Sequence, residues 1–242
     1  MKRLDIALVE RGLCDSREKA KRAIMAGQVK VNEQVARKSS DLVGPDDQLV
    51  LLAGEKYVSR GGHKLEHALQ FFQLDVTGAT AVDLGASTGG FTDCLLQHGA
   101  AHVTGVDVGH GQLHDRLRGD PRVTCVEKLN ARELRADQVG NDFDLVTGDL
   151  SFISLALVLP ALVPLLRSGG HLLMLAKPQF ELQPGQLGKG GIVRDASLFA
   201  VVESKLRDAC ASLGLQVLGW YDSPIAGGDG NREFFIHARR SA

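Results

Sequence analysis

"AVDLGASTGGFTDCLLQHGAAHVTGVDVG", residues 81–109, is the stretch on which the fold turns. Ala81 to Leu84 form a short apolar run; a loop with Gly85, Gly89 and Gly90 follows, then a helical segment from Phe91 to Gln97, then a second apolar run from His102 to Val106. Strand, glycine-rich turn, helix and strand make up the unit that builds doubly wound sheets, whose ligands lie beyond the carboxyl ends of the strands. The glycine spacing is G-x-x-x-G-G rather than the G-x-G-x-x-G of dinucleotide binders, and Asp83 would repel a pyrophosphate. A carboxylate there suits a cationic cofactor. Asp107 closes the second strand, where it can accept hydrogen bonds from both hydroxyls of a ribose.

Together these features look like an S-adenosylmethionine site. The cofactor-binding candidates are Asp83, Gly85, Ser87, Gly89, Phe91, Asp107, Val108, Asn130 and Asp149. Further strands are expected at 122–126, 143–147, 171–176, 216–221 and 233–237. Seven strands separated mainly by helical segments predict an α/β fold: a Rossmann-like domain with a mostly parallel sheet.

The rest of the chain bounds its class. With 242 residues and 44% apolar content it can bury a sizeable core. The longest apolar stretch, Phe152 to Leu166, is broken by Ser154, Pro160 and Pro164, so no transmembrane helix is predicted. The apolar run Ile6 to Val9 is too short for a signal-peptide core, and no export is expected. Cys14, Cys94, Cys125 and Cys210 lie far apart without a C-x-x-C pair, which argues against disulfides and a metal site and fits a reducing cytoplasm. Each is expected to be a small buried apolar residue.

Net charge is −1, but residues 1–38 hold ten lysines and arginines against five acids, an excess of five positive charges. That is the footprint of a nucleic-acid-binding appendage. Leu4, Ala7, Leu8 and Leu13 recur at helical intervals; Ser16 can cap a second helix whose apolar stripe is Ala20, Ala23 and Ile24 and whose stop is Gly27. Short alternating strands follow. The segment "SREKAKRAIMAGQVKVNEQ", Ser16 to Gln34, resembles the RNA-binding domain first described in small-subunit ribosomal protein S-four. Residues 1–52 are read as this small α+β domain, 53–60 as a linker and 61–242 as the larger domain. The candidate RNA contacts are Arg3, Arg17, Lys21, Arg22 and Arg60, with Lys189 and Arg194 on the glycine-rich "LGKGGIVRD", a mobile flap or a plain surface loop.

Polar residues at strand and helix ends complete the pattern. Lys64 lies on the first helix after the linker, Asp149 just past a strand, Lys177 where "HLLMLAKP" ends a strand before Pro178, and Glu233 at the start of the last strand. Methyl transfer to a hydroxyl needs that oxygen aligned and stripped of its proton, and lysines among carboxylates can hold and take it. The order Lys, Asp, Lys, Glu around such a loop is similar to ribose 2′-O-methyltransferases of the FtsJ type. With "SRGGHKL", "DLSFISL", "KPQFE", "GKGGIVRD" and "SPIAGGDGNREFF" as well, the chain is identified as a member of the TlyA family, also labelled hemolysin A. The resemblance implies 2′-O-methylation of cytidine in ribosomal RNA within a ribosomal subunit, with Lys64, Asp149, Lys177 and Glu233 as the catalytic tetrad. The chain starts just before its first helix and ends two residues after Arg240, like the shorter family type; large-subunit 23S RNA is therefore the expected target. The rival classes are a membrane-lytic hemolysin, which should show a lytic segment, and a non-enzymatic RNA-binding assembly factor.

Overall fold

The computed structural model describes residues 1–52 and 56–241. It contains two compact units, residues 1–56 and 57–242. Of the expected linker, 53–55 lie outside the described residues. Tyr57, expected within the linker, is fully buried in the second unit, and Arg60 already begins a helix. The cause is Gly62, where a Cβ would come within 2.3 Å of the Tyr57 ring: the bare backbone leaves room for that side chain.

In the first unit, helices α1 (Leu4–Glu10) and α2 (Arg17–Met25) pack Leu4, Leu8, Ala20 and Ile24 together over Val29 and Val43. Ser16 caps α2 by accepting a bond from the Lys19 amide at 3.3 Å, and Gly27 at φ 71° lets the chain leave it. The strand Val29–Val31 pairs antiparallel with Gln34–Val35 and Leu49–Leu51. Asn32 and Glu33, both at positive φ, turn the hairpin as a two-residue loop requires.

In the second unit, strands β1 (Thr80–Leu84), β2 (His102–Asp107), β3 (Val123–Glu127), β4 (Phe143–Gly148), β5 (Leu166–Ala176), β6 (Leu215–Asp222) and β7 (Phe234–Arg240) form one sheet. Its order is β6-β7-β5-β4-β1-β2-β3. β1 to β5 run parallel, and β7 lies antiparallel between β5 and β6. The period of two divides the strands between two cores. Val82, Leu84, Leu172, Met174 and Ile236 face α5 (Leu155–Leu162) and α6 (Ser197–Ser212); Ala81, Leu173, Leu175 and Phe235 face α3 (Arg60–Phe72) and α4 (Gly90–Gln97). Both faces are covered, which is why these strands read as nearly continuous apolar runs.

Three local expectations change. β5 starts at Leu166, not His171, because a register shift between those residues absorbs the glycines of "RSGG" into the strand. β7 runs on through the charged end to Arg240, held by backbone pairing with β6. Of the cysteines, Cys94 and Cys210 are buried, whereas Cys14 is half-buried and Cys125 is exposed on the edge strand β3, which has a neighbouring strand on one side alone.

Candidate active site

The strand order reverses between β1 and β4, and there two chain ends meet. The Asp149 amide donates to the Leu84 carbonyl at 3.0 Å, and a Cβ on Gly85 would lie 2.7 Å from the Asp149 carbonyl oxygen. Gly85 also sits at φ 72°. Only glycine satisfies both demands, so β1 and β4 can release their chains side by side into one cleft.

Three cavities adjoin along this cleft. One of ≈ 280 Å³ is walled by Lys64, Asp83, Gly85, Ser87, Phe91 and Asp149, with Ser59, Arg60 and Gly61 from the start of α3. A second of ≈ 510 Å³ shares Gly85, Ser87 and Asp149 with it and adds Asp107, Val108 and Asn130. A third of ≈ 470 Å³ shares Ser151 and Phe152 with the second and adds Lys177, Gln179, Phe180, Asp229 and Glu233. Two lobes joined at Gly85 therefore lie beside a third space lined by aromatic side chains and a lysine.

Asp83 is buried under the start of α4. Its Oδ2 accepts bonds from the Thr92 amide at 3.0 Å and the Thr92 hydroxyl at 2.8 Å, while Oδ1 has no partner among the described residues. Burial pushes this carboxyl up to about 7 against the Thr92 bonds, with the charges of Asp149 and Asp107 adding to the rise. An unsatisfied acid at a cavity wall is suited to a cationic ligand. Asp107 accepts from the Ser87 amide at 2.8 Å and the Gly109 amide at 2.7 Å; a carboxylate has about four acceptor positions, so two remain for ribose hydroxyls. Asn130 caps the following turn through Oδ1, accepting from the Arg132 amide at 3.0 Å, which leaves its amino group for a base edge. Val108 is exposed over the same lobe. The unoccupied valences and the glycine cradle fit a nucleoside with a positively charged amino-acid tail.

Two of the sequence candidates also carry structural roles. Gly89, at φ 95°, does not line the cavities; a Cβ there would strike Leu117 and Leu113. Phe91 packs its ring near that of Phe235, centroids 6.0 Å apart, so it shapes the wall from within the core.

The lysines and acids pair across the chain. Lys64 on α3 makes a buried ion pair with Glu233, just before β7. Burial raises the Glu233 carboxyl above its ordinary value, the hydrogen bond and charge of Lys64 opposing it. Lys177 Nζ lies 2.5 Å from Asp149 Oδ1 and donates to Ser151 Oγ at 2.9 Å. β5 is thus followed at once by a lysine because that position faces the carboxyl end of β4, and Pro178 then turns the chain into the short helix Pro178–Glu181.

The remaining candidates divide by unit. Arg3 and Arg17 both bind the buried Asp5, Arg3 at 3.0 Å and 3.2 Å and Arg17 at 3.0 Å. The Arg3 bond holds that carboxyl down to about 2 against the cost of burial, with Arg17 helping. Lys21 and Arg22 are exposed on α2. In the second unit Lys189 and Arg194 are exposed, and Leu187, Gly190 and Gly191 of the same segment border the third cavity. That segment is tied down by Asn231, which accepts from the Val193 amide at 2.9 Å and donates to the Gly191 carbonyl at 3.1 Å.

Sequence reasoning missed Ser151, Phe152 and Gln179. Phe152 is 89% exposed at φ 64° and stands beside Phe180, ring centroids 5.1 Å apart. The quoted "DLSFISL" and "KPQFE" contain these residues, but nothing local marks them as facing a cavity.

Comparison with known proteins places this geometry in context. A model of the FtsJ-like methyltransferase matches residues 57–240, and one of the S4 domain matches residues 2–49. The 16S/23S rRNA (cytidine-2′-O)-methyltransferase TlyA of Mycobacterium tuberculosis is 45% identical, over 98% of this chain and 89% of that protein. The 23S rRNA (cytidine-2′-O)-methyltransferase TlyA of Campylobacter jejuni is 33% identical, over 83% of this chain and 80% of its own. A solved structure from Streptococcus thermophilus bearing the hemolysin label superposes with a TM-score of 0.75 at 43% identity, over 99% of this chain and 88% of that one. Among the described residues no helix is long and apolar enough to cross a membrane, and no three His, Cys, Asp or Glu side chains cluster as a metal site would require.

Proposed function

The chain belongs to the FtsJ-like methyltransferases and, within them, to the TlyA family, and from that premise we propose that it methylates the ribose 2′-oxygen of a cytidine in large-subunit ribosomal RNA, acting in the cytoplasm. The 23S substrate is common to the names of both TlyA relatives. Residues 1–52 dock the RNA, with Lys21 and Arg22 free for phosphates and Arg3 and Arg17 sharing their charge with Asp5; residues 61–242 carry the chemistry, with Arg60, Lys189 and Arg194 as further phosphate contacts.

The observation that carries the reading is the pair of lysine–carboxylate contacts, Lys64 with Glu233 and Lys177 with Asp149, set where the two-lobed space meets the aromatic one. S-adenosylmethionine supplies a methyl group on a sulfonium, open to displacement by an oxygen nucleophile. Asp83, Gly85 and Ser87 would hold its amino-acid end, and Asp107, Val108 and Asn130 its nucleoside. Lys177, steadied by Asp149 and Ser151, positions the 2′-hydroxyl and in its neutral form receives the proton as the oxygen–carbon bond forms. Glu233 and Lys64 fix the charge on the other side of the hydroxyl, and Phe152 and Phe180 offer faces on which an unstacked base can rest.

The test is transfer of labelled methyl to separated ribosomal subunits, followed by nucleoside analysis, with Lys177→Ala alongside. Methylated cytidine in the large subunit, reduced by on the order of 10²-fold or more in the variant while cofactor binding persists, is expected. Transfer at the wild-type rate by the variant would remove Lys177 from the mechanism; label in no subunit would remove the substrate.

A further inference from the structure

The aromatic cavity holds a polar atom with nothing to bond. Gln179 is 9% exposed in its wall, and its Oε1 has no hydrogen-bond partner among the described residues. The other end of the amide is fixed, because Nε2 donates to Asp229 Oδ2 at 3.0 Å. Asp229 also accepts from Asn231, from its Nδ2 at 2.8 Å and its backbone amide at 3.0 Å. Burial works to raise the Asp229 carboxyl, but the bonds from Asn231 and Gln179 outweigh it and hold the group below its ordinary value.

An ionised carboxylate accepts and never donates. Turning the Gln179 amide over would set oxygen against oxygen, so the NH₂ end belongs to Asp229 and the carbonyl oxygen is left buried in the cavity wall with its acceptor positions unused. Lys177 and Glu233 line the same space, so the occupant is the nucleotide whose ribose they address. An acceptor in that wall asks for a donor on the base. Cytosine carries one, its exocyclic amine; uracil has a carbonyl oxygen at the same position.

We propose that Gln179 reads the target base, its Oε1 accepting a hydrogen bond from the exocyclic amine of cytosine, with Asp229 as the positioning residue that fixes the amide. This rests on the methyltransferase reading above and extends it from the ribose to the base. A site built to bond an amine rejects an analogue that lacks it because the buried partner is left unpaired. Discrimination on the order of 10- to 100-fold in kcat/KM follows.

The experiment compares large ribosomal subunits that carry cytidine or, by mutation of the RNA, uridine at the mapped position, methylated by the full-length chain. Wild type is expected to prefer cytidine at least about 10-fold. Gln179→Met should bring the two substrates within a few-fold, chiefly through a loss on cytidine. Asp229→Asn can offer its own amide hydrogens to the Gln179 oxygen and lets the Gln179 amide turn, so uridine should gain relative to cytidine. S-adenosylmethionine affinity, measured by calorimetry, should stay at the wild-type value in both variants. An unchanged cytidine-to-uridine ratio in Gln179→Met, equal rates of wild type on the two subunits, or a uniform loss on both with weakened cofactor binding would each overturn the assignment. Failure of wild type to methylate either subunit would instead remove the methyltransferase reading, and this inference with it.

Discussion

At the scale of single residues, Asp83 is the group whose protonation is most displaced by the fold toward physiological pH. Its carboxyl titrates near 7 in the folded chain and near 4 in an unfolded one. The native state therefore keeps a proton that the unfolded state has lost, so the stability contributed by this group is full below about pH 4 and is lost as pH rises toward 7. Thermal unfolding of wild type and Asp83→Asn between pH 4.5 and 8.5 should diverge, the variant gaining relative stability up to about pH 7 and levelling beyond it. Parallel curves would contradict the assignment. His237, held down at about 4 by burial, acts with the opposite sign: its contribution is present above the unfolded value and lost as pH falls. It is common to both proteins and drops out of the comparison. A bound sulfonium favours the charged form of Asp83. Affinity for S-adenosylmethionine relative to S-adenosylhomocysteine should therefore rise through pH 7 in wild type and stay flat in Asp83→Asn.

Among the elements, the loop between β4 and α5 matters most because it carries Asp149, Ser151 and Phe152. It is anchored by Glu181, which accepts from the Leu155 amide at 2.6 Å, from Ser154 Oγ at 2.5 Å and from Lys205 Nζ at 2.9 Å. Glu181 is buried and serves as the cap that Ser154 does not provide for α5. Glu181→Ala should lower stability by about 2 kcal/mol, since the Leu155 amide loses its partner while half-exposed Lys205 can turn to solvent. Chemical denaturation measures the loss, and a change within experimental error would show that water replaces the carboxylate. Gly85→Ala sets a Cβ against the Asp149 carbonyl at a φ that alanine resists. β1 and β4 must then part at their carboxyl ends, and cofactor binding should fall at least about 10-fold by calorimetry while the seven-stranded sheet persists by circular dichroism.

Across the whole molecule, charge and chemistry are separated along the chain. The basic excess lies within residues 1–38, whereas both lysine–carboxylate pairs lie in the second unit. Lys21→Ala with Arg22→Ala should lower the dependence of log affinity on log salt for ribosomal RNA by about 1.5 and raise KM, leaving kcat unchanged. A fall in kcat alone would place those residues in the chemistry. Arg17→Ala differs in kind. It strips one of two partners from buried Asp5, so it should cost stability as well as affinity, and a thermal melt separates the two effects.

Local pattern in the sequence determined much of this. The unbroken apolar run of Leu172 to Ala176, the glycines after Asp83, the Ser16 cap and the proline after Lys177 each act through neighbours a few residues away, and such signals survive in a bare chain. The seven strands and the strand-end positions of Asp83, Asp107, Asp149 and Lys177 were legible for that reason. Only the tertiary structure decided the partners: Lys64 meets Glu233 across 169 residues, Arg3 and Arg17 converge on Asp5, Gly89 makes room for Leu117, and Gln179 is left facing a cavity with one acceptor unused. Cys125 is exposed for a reason of the same kind, the place of β3 at the sheet edge. Pairing and burial depend on which distant surfaces come together, and no short window of sequence holds that information.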